Sequence, residues 1–531
     1  MLFLVIRLCL VSIVVLAAGA LHGLRMEPLV TVAILALGGL LALGEHRRLL
    51  PLRRPAPGPV LGALLVLIGL RLLLQVWLFS PHQGDATAYH LPKIAEWIQA
   101  GRFTREMGLH PHVTFPAGFE LIETWWVVFL HHDVLIEMAG VEFLVLGFAS
   151  TGALAKYVGL SDRMACLAGT IFILSPAFHF GATACLNDTA ASAAVLSVAA
   201  LIVGRTSDWC WIAAAGLGLG IKPTCGLAMP GMLLLRCLIP RGRPSLSASW
   251  TGPAAAGMGL LLGAWWYARN VLWFGNPVYP AGSSALDNPV AVQLGPDLLS
   301  FWHSLRSFVN ERISDRGVIL GANVDRAAGW GAPAYSLGLI ALPWAMRLES
   351  RFRILVASFG MSFVLSLLFI RSDAWFMKYL SYAAAIPSLA VAWAWIEAPQ
   401  VRWVAAVGLG VSLAATAIPY DLPWRDLRAL ASQSWVERSV LNLSPHPEGD
   451  DAMGCMGDFK TPSYLLYRPD FSCRVVYLRA ENSNQVLETM RSNRLKTLYA
   501  TRNSVQVSMV LQSALAQDLL MEMGGSFYRL R

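Results

Sequence analysis

The stretch Val60 to Phe79 reads VLGALLVLIGLRLLLQVWLF, and the polar segment SPHQGD, from Ser80 to Asp85, follows it directly. As a helix, about twenty mainly apolar residues are long enough to cross a hydrocarbon core about 30 Å thick. The chain of 531 residues contains many such runs, because 56% of its residues are hydrophobic and only 14% are charged. Its mean hydropathy is +0.54, and a soluble domain would have roughly a quarter charged residues. The sequence therefore predicts an α-helical polytopic membrane protein and excludes a disordered chain, a coiled coil and a soluble enzyme.

Positively charged residues indicate which helix ends face the cytoplasm, because lysine and arginine collect in cytoplasmic loops. Leu2 to Leu21 is interpreted as a retained helix, since a second apolar run, Pro28 to Leu43, follows it almost at once. The basic cluster His46 to Arg54 is then cytoplasmic, and the helix from Val60 leads to the external side. The same rule explains the net charge of +8 without a nucleic-acid partner. Further helices are predicted near 134–155, 164–182, 189–204, 209–221, 224–239, 251–268, 333–346, 353–370, 380–396 and 402–418.

Basic residues occur in each loop that this arrangement places in the cytoplasm. The arrangement contains about 13 transmembrane helices. The external, periplasmic regions are then 80–132, 270–332 and the tail from about 420. The expected organisation is two extra N-terminal transmembrane helices in 1–58, a catalytic transmembrane domain in 59–420 and a periplasmic domain in 421–531.

The predicted topology depends on whether the segment Phe119 to Leu130 crosses the membrane. It is apolar but short, and it contains Glu120 and Glu123, so it is interpreted as an interfacial or re-entrant helix. If it crossed the membrane, every later helix would be inverted and the basic clusters would lie on the wrong side.

The tail has a different character from Asp450 onward, with alternating short strands and helices that predict a small parallel α/β domain outside the membrane. Gly454 and Gly457, in GCMG, lack the third glycine of a dinucleotide-binding motif, so a tight strand-to-helix turn is the preferred interpretation. Cys455 and Cys473 have no CxxC partner for a zinc site and form a possible disulfide in an oxidising compartment. The predicted strands are Arg474 to Leu478, Leu495 to Ala500 and Ser526 to Leu530, and the predicted helices are Asn484 to Asn493 and Val505 to Leu520.

Acidic residues beside membrane helices are costly to maintain and therefore indicate function. Asp85 lies in GDATAYHLPK, directly after the Val60 helix, where a carboxylate could accept a proton from an acceptor hydroxyl or bind a metal. Asp85 or Thr87 could equally be the N-cap of an interfacial helix. Asp188, in CLNDT, is open to the same interpretations. Two external acids facing one cavity would form an acid/base or metal pair.

Basic residues map to the same external side. Lys222 follows GLGLGI, where the glycines and Pro223 are expected to break the helix, and it is either a phosphate-binding cation or a lysine that extends to the interface. Arg269 lies in WWYARN, and Arg371 and Lys378 lie in RSDAWFMKYL, where an aromatic belt with orienting charges is the alternative. Together these motifs place carboxylates and cations on one membrane face, which suits an anionic lipid-linked donor.

The order of these motifs resembles that of the GT-C glycosyltransferases, specifically bacterial members related to protein mannosyltransferases and to the aminoarabinose transferase of lipid A. The similarity extends from about residue 60 to 400. Many relatives have arginine where Lys378 stands, so this chain keeps the charge but not a bidentate phosphate fork. The matching pieces are Asp85 with Tyr89-His90-Leu91-Pro92 and Trp97, Pro116 to Glu120, Asn187-Asp188, Gly218 to Thr224, Arg269-Asn270 with Gly275-Asn276-Pro277, and Lys378-Tyr379 before Pro387.

The resemblance implies a GT-C-like glycosyltransferase of the bacterial inner membrane. A sugar would move, with inversion, from a polyprenyl-phosphate donor to a hydroxyl or amine of a lipid, glycan or protein acceptor on the periplasmic side. Asp85 would be the catalytic base or an acid that orients the acceptor, and Asp188 would be the second acidic residue of the catalytic site. A divalent metal (Mg or Mn) would bind, if at all, at these two residues. Lys222, Arg269 and Lys378 would hold the phosphate. The full set of substrate-binding candidates is Tyr89, His90, Lys93, Glu120, Lys222, Arg269, Asn276, Arg371, Lys378 and Tyr379.

Two other function classes stay open. A lipid or sugar transporter, or a flippase, would also contain broken helices and buried charges, but it would hold them near the bilayer midplane and not at one face. An oligosaccharide ligase or polymerase would use a diphosphate-linked donor, and competition between monophosphate and diphosphate lipids would distinguish it.

Overall fold

A computed structural model of the protein describes residues 1–25, 30, 33, 57–81, 83–105, 108, 111–206, 208–239, 251–280, 298–299, 301–302, 305, 329–331, 333–370, 376–417, 451–458, 461–478, 482–501, 505–517, 519–524 and 526–530. Within these ranges the chain is mostly helical, as predicted. Most of the second predicted N-terminal helix, the candidate residue Arg371 and the first part of the tail lie outside the described residues.

Helices occupy every predicted position from 134 to 418. The predicted helix near 164–182 is divided in two, because a turn at Leu174 and Ser175 precedes Pro176. The helices are α1 Leu2–Ala20, α2 Pro59–Leu78, α3 Leu91–Ala100, α4 Gly118–Val128, α5 Met138–Tyr157, α6 Asp162–Ile173, α7 Pro176–Gly181, α8 Asn187–Val203, α9 Asp208–Ile221, α10 Cys225–Leu238, α11 Thr251–Phe274, α12 Leu339–Leu348, α13 Ser350–Phe369, α14 Phe376–Tyr379, α15 Ala385–Glu397 and α16 Pro399–Ala417.

The length and apolar composition of several helices fit a bilayer. Four segments of the described chain are long and apolar enough to cross a membrane: Leu2–Ala20, Pro59–Leu78, Asp133–Tyr157 and Ser350–Phe369. Helices α8, α9, α10 and α12 are apolar but shorter. Helix α2 exposes leucine and valine side chains such as Val66 and Leu67, as a helix facing lipid does.

Helix α8 lies at the centre of the bundle. All 17 of its residues are buried, and it packs against α5, α9 and α10. Its sequence, NDTAASAAVLSVAALIV, is rich in alanine and serine, and such small side chains allow neighbouring helices to approach closely. A polar residue on this helix is therefore held in a rigid surrounding.

Glycines fix the contact between α9 and α11. A Cβ atom added to Gly216 would lie 1.8 Å from the carbonyl oxygen of Gly259, and one added to Gly220 would lie 2.5 Å from that of Leu262. The predicted break occurs at 222–224, beside Pro223, but the glycines do not break the helix, since α9 continues to Ile221. They instead form a small-xxx-small surface that lets two helix backbones meet.

The length of helix α4 bears on whether residues 119–130 cross the membrane. It has 11 residues, about 16 Å at roughly 1.5 Å per residue, so it is too short to cross the hydrocarbon core. Its first turns are buried in the fold, and Glu120 and Glu123 are fully enclosed. The structure thus agrees with an interfacial or re-entrant helix.

The tail forms a five-stranded sheet in the order β2-β1-β3-β5-β4. Strands β1, β2 and β3 pair in parallel, but β5 pairs antiparallel with both β3 and β4, so the sheet is mixed and not parallel as predicted. The difference arises at the end of the chain, where two strands form a hairpin and only one had been predicted. The elements are β1 Ala452–Met456, β2 Arg474–Tyr477, α17 Ser483–Ser492, β3 Thr497–Ala500, α18 Val505–Ala516, β4 Leu520–Gly524 and β5 Phe527–Leu530.

Two expectations about the tail were wrong. Gly454 lies within β1 and not in a strand-to-helix turn, and the side chains of Leu478 and Leu498 pack close to it. Cys455 and Cys473 are both free and buried. In the parallel register, Cys455 lies beside Tyr477, four residues beyond Cys473. This offset corresponds to roughly 13 Å along a strand, which is too far for a disulfide.

Candidate active site

Asp188 lies in the first turn of the buried helix α8. Leu186 occupies the N-cap position, so the expectation that Asp188 caps the helix was wrong. A carboxylate in the first turn interacts favourably with the positive end of the helix dipole. The side chain of Asp188 is only 4% exposed, and a buried charge of this kind requires a partner.

Two lysines supply that partner from distant parts of the chain. Lys222, after the end of α9, places its Nζ 2.5 Å from Asp188 Oδ1, and Lys378, in α14, places its Nζ 3.0 Å from Asp188 Oδ2. The ammonium group of Lys222 also lies 4.5 Å from the centre of the Tyr379 ring, a cation–π contact. Four residues predicted from the sequence are therefore brought together here.

A second tether aligns α8 with the segment that carries Lys378. One helical turn after Asp188, the hydroxyl of Ser192 hydrogen-bonds to that of Ser381 at 2.6 Å. Ser381 follows Lys378 by three residues, so the two contacts run side by side. The position of Lys378 is fixed by this pair of contacts and not by the ion pair alone.

The group formed by Asp188, Lys222 and Lys378 carries a net charge of +1. Burial alone would lower the pKa of Lys378, but the charges of Asp188, Tyr379 and Asp85, with the hydrogen bond to Asp188, outweigh burial and raise that pKa. Both lysine side chains remain partly exposed, at 17% and 15%. The group can therefore bind a phosphate from its open side while Asp188 holds the two cations apart.

Asp85 begins the helical segment that leads into α3. Residues 84–100 are helical without interruption, and Ala86–His90 form a π-helical turn, a distortion often found at functional sites. The side chain of Thr87 donates to the carbonyl oxygens of Gln83 and Gly84, so Thr87 does not cap the helix. Asp85 occupies the N-cap position of the π-helical turn, but its side chain makes no capping hydrogen bond. The side chain of Asp85 is exposed, whereas that of Asp188 is enclosed.

Tyr89 and His112 connect Asp85 to the lysine group. The ring centres of Tyr89 and His112 are 5.4 Å apart in an edge-to-face contact. Burial lowers the pKa of His112 to about 4. The negative charge of Asp85 opposes this decrease, and the positive charge of Lys222 adds to it. Burial, followed by the charges of Asp85, Tyr379 and Asp188, raises the pKa of Tyr89. Asp85 and Asp188 thus both act electrostatically on Tyr89.

His90, Lys93 and Glu120 pair with one another instead of facing open space. His90 Nδ1 and Lys93 Nζ lie 2.8 Å and 2.5 Å from Glu120 Oε1, and all three side chains are buried. Burial opposes ionisation of Glu120, but the charges of Lys93 and His90 outweigh it and lower the pKa of Glu120 to about 2. This cluster links α3 to α4, and its predicted contact with substrate stays a prediction.

Arg269 is also engaged by the protein itself. Its guanidinium group donates to the carbonyl oxygen of Thr114 and to Asn270 Oδ1, and it lies over the rings of Trp266 and Trp273. Arg269 therefore ties the end of α11 to the turn that carries His112. Its predicted role as a phosphate ligand stays a prediction.

The remaining candidates are Asn276 and Arg371. Asn276 Oδ1 accepts a hydrogen bond from the amide of Val278, 3.0 Å away, within the turn after α11. Arg371 belongs to residues that the structure does not describe.

Sequence reasoning missed two features of the polar interior. His112, in HPHVTF, contacts Tyr89, and its only signal was its place in the external loop before Pro116. Arg71, within the otherwise apolar α2, lies 2.9 Å from His179 Nε2, and one turn later Gln75 donates to Thr183. A charged residue inside a membrane helix was the available signal.

The surroundings of Asp188 do not fit a divalent metal. Both of its oxygens already contact ammonium groups, so a metal cation would be repelled by two positive charges. Among the residues that the structure describes, no group of three or more histidine, cysteine, aspartate or glutamate side chains could hold a metal ion. A metal role for Asp85 stays a prediction.

The arrangement of the chain is similar to that of ArnT from Cupriavidus metallidurans in the apo state, with a TM-score of 0.51 and 13% identity over 89% of this chain and 98% of that chain. The chain has the GT-C fold. ArnT bound to undecaprenyl phosphate gives a TM-score of 0.49 and 12% identity over 88% and 98% of the two chains. The arabinofuranosyltransferase AftD from Mycobacteria gives 0.48 and 16% over 90% and 40%. No protein-family model and no curated protein sequence matches the chain.

The comparison confirms the predicted GT-C resemblance at the level of the fold. Sequence identity near 13% carries no residue roles with it. Those roles rest on the contacts around Asp188 and Asp85 in this chain.

Proposed function

We propose that this GT-C protein is a membrane glycosyltransferase that moves a sugar from a polyprenyl-phosphate donor to an acceptor hydroxyl or amine on the periplasmic side. The observation that carries the proposal is the carboxylate of Asp188 held between Lys222 and Lys378, within electrostatic reach of the exposed Asp85. ArnT, whose fold this chain shares, is described in its solved structure as bound to undecaprenyl phosphate.

In the proposed reaction, the acceptor oxygen or nitrogen attacks the anomeric carbon of the donor. The bond from that carbon to the phosphate oxygen breaks, and its electron pair leaves with the polyprenyl phosphate. Asp85 accepts the proton that the acceptor loses. Lys222 and Lys378 donate hydrogen bonds to the leaving phosphate, whose negative charge grows in the transition state. Attack from the face opposite the phosphate inverts the anomeric centre.

The two acids have different tasks in this scheme. Asp85 is exposed and therefore accessible to an acceptor. Asp188 has both oxygens engaged, so it holds the two lysine ammonium groups in place and does not take part as a base. Tyr89 and His112, whose rings contact each other and which both experience the charge of Asp85, orient the acceptor side of the site. The sugar and the class of acceptor stay open between lipid, glycan and protein.

The proposal includes the membrane topology. About 13 helices cross a bacterial inner membrane, with two extra N-terminal helices in 1–58, the catalytic domain in 59–420 and the tail, 421–531, in the periplasm. Loops 80–132 and 270–332 face the same side. This arrangement places Asp85 and Lys222 together where a lipid headgroup meets the external water phase.

The test uses the purified full chain in nanodiscs with a panel of undecaprenyl-phosphate sugars, and it measures released undecaprenyl phosphate. Asp85→Asn is expected to reduce turnover by about a hundredfold or more, since general base catalysis contributes roughly 10²–10⁴. Asp162→Asn, at an exposed carboxylate, is the matched control and should leave turnover unchanged.

Two outcomes would contradict the proposal. Equal turnover of Asp85→Asn and the wild type would remove the mechanism. Transfer from undecaprenyl-diphosphate sugars alone would assign the protein to the ligase or polymerase class instead.

A further inference from the structure

The tail domain shares a buried core with the two segments that carry the acids of the site. Its residues Met453, Tyr464, Tyr467 and others pack with Ala86, Leu91, Ile94 and Ala95 of the helical segment 84–100. The same core includes Cys185 and Leu186, directly before Asp188. The tail domain therefore shares one buried core with the segment of Asp85 and with the segment that precedes Asp188.

Hydrogen bonds define this contact at specific atoms. Tyr467, at the end of the 3-10 helix Ser463–Tyr467, donates its hydroxyl to Glu96 Oε1 at 2.5 Å. One turn further along α3, Gln99 Nε2 donates to the carbonyl oxygens of Phe471 and Cys473, at 2.9 Å and 2.8 Å. Glu96 and Gln99 are thus held from the same direction by the same part of the tail.

Further bonds make the tail side rigid. The hydroxyls of Tyr467 and Tyr477 lie 3.0 Å apart, and Tyr477 donates to Ser463 at 3.1 Å. A second attachment joins Tyr464 to Asp133 Oδ2 at 2.8 Å, and the amide of Asp133 donates to the carbonyl oxygen of Pro469 at 3.0 Å. Tyr467 therefore does not act as an isolated surface contact.

We infer that the tail domain positions the active site, and that Tyr467, by holding Glu96, keeps in place the helical segment that begins with Asp85. Residues 84–100 form one continuous helical segment, so Asp85 and Glu96 move together. They are 11 residues apart, about 16 Å at roughly 1.5 Å per residue. A misplacement of about 1 Å at a reacting group can cost on the order of a hundredfold in rate. Tyr467 is accordingly a positioning residue and not a catalytic one.

The test compares two tyrosine variants that each remove one hydroxyl from the tail. Tyr467→Phe removes the bond to Glu96, whereas Tyr528→Phe changes a buried tyrosine in a separate core of the sheet domain. Glu96→Gln keeps an acceptor oxygen for Tyr467, and Glu96→Ala does not. All are made in the full chain in nanodiscs.

Amide hydrogen exchange of residues 84–100 is the direct measurement. Tyr467→Phe and Glu96→Ala are expected to increase exchange there about tenfold, because a hydrogen bond to a charged group is lost. Tyr528→Phe should leave that exchange unchanged, and Glu96→Gln, which keeps a neutral acceptor for Tyr467, should increase it less than Glu96→Ala. The melting temperature reports the general loss of stability in each variant.

The activity measurement rests on the proposed function. Tyr467→Phe should lower kcat for release of undecaprenyl phosphate about tenfold, while the Kd for undecaprenyl phosphate itself stays within about twofold. A wild type without transfer would contradict the proposed function and leave the exchange measurement to decide the positioning role. Exchange in 84–100 that is the same in Tyr467→Phe as in wild type, or equally increased by Tyr528→Phe, would overturn the inference.

Discussion

Replacement of Lys378 by methionine is the sharpest probe of the lysine group. Lys378 Nζ lies 3.0 Å from Asp188 Oδ2, and Lys222 lies on the other oxygen. Methionine preserves most of the volume of the side chain but removes one positive charge, so the group changes from a net charge of +1 to neutral. Asp188 retains Lys222 as its partner, so the variant is expected to fold.

The magnitude follows from the contact that the donor phosphate would lose. A hydrogen bond to a charged group is worth about 1.5–3 kcal/mol, and each 1.4 kcal/mol is about a factor of ten in affinity. The Kd for undecaprenyl phosphate should therefore rise by roughly one to two orders of magnitude. Lys378→Arg should bind at least as tightly as the wild type, because the guanidinium group adds a bidentate fork.

The assay is equilibrium binding of undecaprenyl phosphate to the purified protein at neutral pH. Lys156→Met is the matched control, because Lys156 forms an exposed ion pair with Asp162 at 2.9 Å and exposed pairs contribute little. Binding by Lys378→Met within about twofold of the wild type, in a protein with an unchanged melting temperature, would refute the assignment of Lys378 to the phosphate.

Three further predictions concern stability. Gly216→Ala should lower the melting temperature, because its Cβ would lie 1.8 Å from a backbone oxygen, whereas Gly257→Ala, with open space around it, should not. Glu120→Gln should cost about 3–5 kcal/mol in the free energy of unfolding, since it leaves the buried Lys93 unpaired. Because the pKa of Glu120 is lowered to about 2, its contribution should persist above pH 4.5 and disappear as the pH falls towards 2, which acid unfolding measures. A reductant should leave the melting temperature unchanged, because Cys455 and Cys473 are free.

The helices of the bundle could be predicted from the sequence because each one is a continuous apolar run. Helix α8 was expected at 189–204 and occurs at Asn187–Val203. Helix α4 could be distinguished from the membrane-spanning helices by its short length and its two glutamates. These signals are local, and the physical requirement that a membrane helix satisfies all its backbone groups makes them strong.

Local sequence patterns were insufficient wherever the structure depends on a neighbouring helix or strand. The glycines of α9 were expected to break a helix, but the backbone of α11 approaches them and the helix continues. Similarly, the strands beside Gly454 and Cys455 determine that Gly454 lies within β1 and that Cys455 is too far from Cys473 to form a disulfide. The final strand, Phe527–Leu530, was predicted, yet its antiparallel pairing depends on β4, which had been placed partly in a helix.

The site itself was predictable as a set of residues but not as a set of contacts. Asp188, Lys222 and Lys378 were identified as charged residues beside membrane helices, and the order of motifs in a resemblance then grouped them, but no periodicity relates positions so far apart in the chain. The pairing of His90 and Lys93 with Glu120 was not predicted, because all three had been assigned to substrate. Their burial and mutual contacts show that these three of the ten predicted binding residues join α3 to α4.

The proposed mechanism depends on the different surroundings of Asp85 and Asp188. A carboxylate with an ammonium group on each oxygen, as at Asp188, is a poor proton acceptor, since protonation would break both contacts. Asp85 has an exposed side chain, yet its charge still acts on Lys378 and His112. A transferase of this kind needs cations fixed near the leaving phosphate and a base that an acceptor can reach. Enclosure of Asp188 and exposure of Asp85 meet these two needs separately, which is why replacing either acid should affect a different step.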